Sequence, residues 1–252
     1  MFIGASILIL VFAWGLLVSS ETPGAGFTYT DSIPLAILDK PSSITYDSTR
    51  KTLCIAENGK GFIFEISKAG VPLGTIFTDA VNISDVAYTS MGGQEGFIII
   101  QEKPEDILET DRHGCLLRSL KLPPEFQGRK VKAVTLDSQG EKLYLALSGE
   151  RDQILELAMD GRLTGSLSIN DIQNIEALCY DPTSKHLLLL SHGSTGKIYE
   201  VTLQGEILGD FTPEVTQAKG ITRDEMGLLY VVCQETRRIY VYLPKKESAQ
   251  AK

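Results

Sequence analysis

The chain repeats itself, and the period constrains the fold more than any other feature. Five segments open with the same short phrase: "SSITYD" at 42, "SDVAYT" at 84, "KAVTLD" at 132, "EALCYD" at 176 and "KGITRD" at 219. Their starts lie 42 to 48 residues apart. A period of that length means one supersecondary unit that cannot bury its apolar surface alone and stacks on its copies. Each phrase leads into a turn rich in Asp, Ser, Gly or Asn, then an apolar run. Those runs are "TLCIAE" (52–57), "GFIIIQE" (96–102), "KLYLALS" (142–148), "HLLLLSH" (186–192) and "LLYVVCQE" (228–235).

A third run follows in every unit: "FIFEIS" (62–67), "DILETD" (106–111), "QILELA" (153–158), "KIYEVT" (197–202) and "RIYVYL" (238–243). Turns come next at Lys68-Ala69-Gly70, Arg112-His113-Gly114, Met159-Asp160-Gly161 and Leu203-Gln204-Gly205, and a fourth run closes four of the units. Short alternating runs between turn residues are the strand signature, and helical spacing is nowhere sustained. Four antiparallel strands per unit predict an all-β, five-bladed β-propeller spanning 25–245. The fifth unit lacks its outer strand, and "FTYTDSIPL" (27–35) is available to supply it. An N-terminal strand closing the last blade would join the ends of the ring and cover an exposed edge. A six-bladed ring with one degenerate blade is the alternative.

Residues 1–20 carry no charged side chain and are followed by polar Glu21-Thr22-Pro23-Gly24. About 18 apolar residues span a bilayer, so this segment reads as a signal peptide or an uncleaved N-terminal membrane anchor. Residues 246–252 form a charged tail. The formal charge of −8 argues against nucleic acid as a partner, because phosphate binding needs clustered Lys and Arg. The four cysteines (Cys54, Cys115, Cys179, Cys233) show no metal-ligand spacing. Cys54, Cys179 and Cys233 fall inside apolar runs and are expected buried and unpaired.

Propeller geometry turns the repeat into a map. The first strand of each blade lines the central channel and the second runs antiparallel to it. The start of the first and the end of the second therefore meet at one mouth. The first ring there is Ser42, Ser84, Lys132, Glu176 and Lys219. The second holds Glu57 or Asn58, Glu102, Glu150, His192 and Glu235. The candidate ligand-binding residues are accordingly Glu57, Glu102, Lys132, Glu150, Glu176, His192, Lys219 and Glu235. Carboxylates alone on such a rim would suit a hard cation, but two lysines make a self-compensated network, so no metal ligand is assigned. No nucleophile–base motif, zinc-protease helix or phosphate loop is present, and no catalytic residue is assigned.

Residues 174–211, "NIEALCYDPTSKHLLLLSHGSTGKIYEVTLQGEILGDF", and 217–243, "QAKGITRDEMGLLYVVCQETRRIYVYL", resemble the last two blades of the SdiA-regulated, YjiK-like family. The similarity extends more loosely over all five units. The resemblance implies a bacterial envelope protein with an N-terminal hydrophobic segment and a five-bladed propeller akin to NHL-repeat domains. The expected location is therefore periplasmic, anchored to the inner membrane, or secreted. The resemblance also implies calcium, bound in part by Glu at the openings of units two, three and five. Here those positions are Ser84, Lys132 and Lys219, which argues against the ion in this chain, while Glu102, Glu150 and Glu235 match family acids.

The leading expectation is a non-enzymatic, monomeric envelope propeller that binds an unknown protein partner or small ligand at a channel mouth or face, without a cofactor. A calcium-dependent, lactonase-like hydrolase is the rival, and a structural or adhesive module is a third reading.

Overall fold

Turn chemistry and apolar runs place the strands where the repeat puts them. The computed structural model describes residues 26–245 apart from 92, 103–104, 150–151, 170 and 193–195. The expected signal or anchor segment (1–20), the tail (246–252) and Glu150 lie outside the described residues. The chain begins with β1 (Phe27–Pro34). Blade 1 follows as β2 (Pro41–Asp47), β3 (Thr52–Glu57), β4 (Phe62–Ser67) and β5 (Pro72–Phe77). Blade 2 is β6 (Ile83–Met91), β7 (Gln94–Glu102), β8 (Glu105–Asp111) and β9 (Leu116–Leu120). Blade 3 is β10 (Val131–Asp137), β11 (Lys142–Leu147), β12 (Gln153–Ala158) and β13 (Leu163–Ser168). Blade 4 is β14 (Ile175–Asp181), β15 (His186–Ser191), β16 (Lys197–Val201) and β17 (Ile207–Phe211). Blade 5 is β18 (Ala218–Arg223), β19 (Leu229–Cys233) and β20 (Arg238–Pro244), with β1 as its outer strand.

The protein is therefore an all-β propeller of five four-stranded antiparallel blades, and the six-bladed alternative does not hold. The closure is as expected: β1 pairs with β20 from Phe27 opposite Pro244 to Pro34 opposite Arg238. Among the described residues the one helical element is a short 3-10 turn, Pro124–Phe126, and no helix is long and apolar enough to cross a membrane.

Two local rules recur. The aspartates that end the refrain fold back on their own turns: Asp47 Oδ1 accepts the Thr49 and Arg50 amides, Asp137 Oδ1 those of Gln139 and Gly140, and Asp224 Oδ1 those of Met226 and Leu228. Such Asx turns explain why the phrase ends in Asp. The third-to-fourth strand hairpins need a left-handed residue, and Gly114 shows why it is glycine. Its φ is +88°, and a Cβ there would sit 2.0 Å from the Phe77 carbonyl oxygen of the neighbouring blade.

The core explains the unbroken apolar runs. Five clusters of buried side chains fill the five seams between neighbouring blades. In "HLLLLS", Leu187 and Leu189 face blade 3 while Leu188 and Leu190 face blade 5. Both sheet faces are buried, so alternation gives way to a continuous run. Each such leucine, burying its whole side chain, contributes roughly 1.5–3 kcal/mol. Cys54, Cys179 and Cys233 are buried and free as expected, while Cys115 is exposed.

Candidate functional site

Every inner strand carries a β-bulge at the same place. In β2, Pro41 pairs with Glu57 and Ser43 with Ala56, which leaves Ser42 as the extra residue. The same skip singles out Ser84, Lys132, Glu176 and Lys219. The first ring of the sequence map is thus a set of five equivalent positions, each re-aimed by its bulge. At two of them the group is spent on the backbone: the Ser42 hydroxyl donates to the Ile83 carbonyl at 3.3 Å and that of Ser84 to the Ile100 carbonyl at 3.2 Å.

The other three form one constellation. Lys219 Nζ donates to Glu176 Oε1 at 2.8 Å, and Lys132 Nζ lies 3.8 Å from Glu176 Oε2. These side chains are partly buried, at 33% exposure for Lys132 and 22% for Glu176 and Lys219. Desolvation pushes the Glu176 carboxyl up, but the hydrogen bond and charge of Lys219, joined by Lys132 and His192, prevail and hold it below the usual carboxylate value. Glu176 is therefore a carboxylate bracketed by two ammonium groups, with His192 close enough for its charge to act on it.

The second ring is less regular than its sequence alignment. The amide at the end of the second strand (Glu102) or just past it (Asn58, Ser148, His192 and Gln234) donates to the carbonyl of the residue before the first strand in all five blades. Those five are the equivalent positions. Glu102 and His192 hold the expected place, whereas Glu57 falls one residue early and Glu235 one late. Glu57 is buried, and its Oε1 accepts the Asp39 and Lys40 amides at 3.0 and 3.2 Å, so it shapes the entry loop and does not face the mouth. Glu235 is exposed and accepts the Thr216 hydroxyl at 2.9 Å. Glu102 accepts Lys130 Nζ at 2.7 Å across the seam between blades 2 and 3.

Beneath the mouth lies a residue that the sequence map passed over. Asp85 is buried on β6 next to the bulge at Ser84. The Ser43 hydroxyl of blade 1 donates to its Oδ1, and the Val134 amide of blade 3 donates to its Oδ2 at 2.7 Å. Burial nevertheless pushes its carboxyl up to about 7. An aspartate where the other four units carry Ser43, Ala133, Ala177 and Gly220 was the available signal.

The residues present do not fit the calcium ion that the family resemblance implies. A divalent cation needs carboxylate or carbonyl oxygens around it, and the bulge positions of blades 3 and 5 place ammonium groups against Glu176 instead. Among the described residues no group of three or more His, Cys, Asp or Glu is placed to hold a metal.

Known proteins agree with this architecture. Residues 170–242 match the family described as SdiA-regulated. A protein of unknown function from Bacteroides caccae, solved as a crystal structure, has a similar fold with a TM-score of 0.52 and 18% identity, covering 79% of this chain and 70% of its own. The chain is a five-bladed β-propeller whose fourth and fifth blades carry the sequence pattern of the SdiA-regulated family.

Proposed function

We propose that this propeller is a non-enzymatic binding module whose channel mouth takes an anionic group of a protein partner or small ligand. The observation that supports it is the trio Lys132–Glu176–Lys219, in which two ammonium groups face one carboxylate. The trio itself carries one surplus positive charge, and its partial burial strengthens the attraction for an anion. The bulges that aim these side chains are part of the strand register, so the trio is preorganised. A calcium-dependent hydrolase would need oxygen ligands where the lysines stand. Location in the bacterial envelope belongs to the same proposal and rests on the charge-free segment 1–20.

Titration with inorganic phosphate, followed by backbone amide chemical shifts, tests the mouth. Saturable shifts at Lys132, Glu176, His192 and Lys219 are expected, and they should vanish in a Lys132→Gln/Lys219→Gln variant. Shifts that survive in the double variant, or none in the unaltered protein, would refute the reading.

A further inference from the structure

The longest spacing of the repeat, 48 residues between the openings at 84 and 132, holds a second site. The extra residues form "KLPPEFQGRK" (121–130), which joins β9 to β10. Pro123 and Pro124 start the short 3-10 turn, the Phe126 amide donates to the Pro123 carbonyl at 2.9 Å, and Gly128 takes a φ of +82°. Leu122 and Phe126 pack onto the core cluster in the seam between blades 2 and 3. The insert is thereby tied down as an arch over the ends of β7, β8 and β9.

Under the arch is a cavity of about 470 Å³. That lies within the range of about 300–1,000 Å³ typical of small-molecule sites. Ile100, Ile107, Leu120, Leu122 and Val131 line it with apolar surface. Two ion pairs stand on its charged rim, Lys130 Nζ to Glu102 Oε1 at 2.7 Å and Lys121 Nζ to Asp106 Oδ1 at 2.9 Å, while Arg129, also on the lining, donates to Gln153 Oε1 at 2.9 Å. A charged ligand entering here must compete with one of these pairs, whereas a neutral hydrogen-bonding group can use their remaining lone pairs and protons.

We infer that this cavity binds a neutral amphipathic small molecule, with its apolar body against Ile100, Ile107 and Leu120 and its uncharged polar end between the two rim ion pairs. The lining shares Glu102 with the second ring but includes none of Lys132, Glu176 and Lys219, and the inference does not rest on the anion-binding reading.

Three eight-carbon probes differing only at the head group test the inference: octanamide, octanoate and octylammonium. Calorimetry on the unaltered full chain reads the affinities. The single tryptophan, Trp14, lies outside the described residues, so Gln127→Trp at the exposed rim adds a fluorescence reporter at the cavity. Octanamide should bind saturably, with octanoate and octylammonium weaker by roughly tenfold. Val131→Phe should fill the cavity and abolish binding, and Leu122→Phe on the insert serves the same purpose should the first variant fold poorly. Octanoate or octylammonium binding as tightly as octanamide overturns the neutral-head assignment. Absence of saturable binding by all three, or full binding in a folded filling variant, overturns the site.

Discussion

Asp85 accepts the backbone amide of Val134 at 2.7 Å across the seam between blades 2 and 3, while Ser43 of blade 1 donates to its other oxygen. One buried carboxylate therefore ties three consecutive blades. Elsewhere around the ring, threonines do the same work pairwise: Thr45 Oγ1 accepts the Tyr88 amide, Thr135 Oγ1 that of Tyr180 and Thr222 Oγ1 that of Tyr46, all within 3.0 Å. The inner strands are too far apart for a backbone ladder, and these side chains satisfy amides that would otherwise be buried without a partner.

The Asp85 tie makes stability depend on pH in a stated direction. Its carboxyl is raised to about 7, above an unfolded value near 3.9, so the folded protein holds a proton that the unfolded chain releases. Its contribution is fully present below pH about 4, declines as pH rises towards about 7, and is flat above that. Asp85→Asn keeps an acceptor for Val134 and removes the titration. Urea unfolding at several pH values should show the unaltered protein losing stability relative to the Asn variant as pH rises. A constant difference between the two would contradict this. Asp85→Ala strands the buried Val134 amide and should cost about 1–3 kcal/mol.

Arg112, in the β8–β9 turn, is 8% exposed and reaches blade 1, where Nη2 lies 2.7 Å from Glu65 Oε1 and 3.2 Å from Asp47 Oδ2. Its guanidinium also stacks over Phe97 at 5.3 Å. The matching turn residues of blades 3 and 4, Met159 and Leu203, pack into apolar seams. Arg112→Met removes the nearest buried cation from both carboxylates, leaving Asp47 its two turn amides and Glu65 the Thr52 hydroxyl and the exposed Arg50 at 3.8 Å, and should destabilise by about 3 kcal/mol. Lys68 occupies the matching turn of blade 1 and pairs with Asp224 at 3.0 Å, but Asp224 also keeps the Tyr230 hydroxyl and two amides. Lys68→Met should therefore cost about 1 kcal/mol or less. Equal losses in chemical denaturation would show that burial does not set the difference.

Removal of residues 27–35 takes away β1 and opens the ring. Ile33 and Leu35 leave the seam between blades 5 and 1, and β20 becomes an open edge. Cooperative thermal unfolding should be lost or shifted strongly down, with new aggregation at the uncovered strand. An unchanged midpoint would mean that closure contributes nothing.

Replacing both lysines of the mouth, as Lys132→Glu/Lys219→Glu, converts the bracketed carboxylate into three neighbouring acids. The double variant should be less stable without divalent ions and should regain stability on adding calcium, by mass action on the folded state. The unaltered protein should show no such rise in its melting temperature. Calcium raising both proteins alike would undo the argument that ammonium groups exclude the ion.

The sequence alone carried the repeat, the count of five units, the strand order within each and the closing strand. All of these depend on local periodicity and turn chemistry, which short windows record. It also located the five bulge positions, because "SSITYD" and its copies align without gaps. The second ring misaligned at Glu57 and Glu235, since where a strand stops pairing depends on its partner and not on its own residues. The Asp85 tie, the reach of Arg112 into blade 1 and the ion pairs of the arch over the cavity join residues 15 or more positions apart. Only the tertiary structure decided these, because seam contacts form when blades close into a ring, and no local pattern encodes which buried polar group meets which amide.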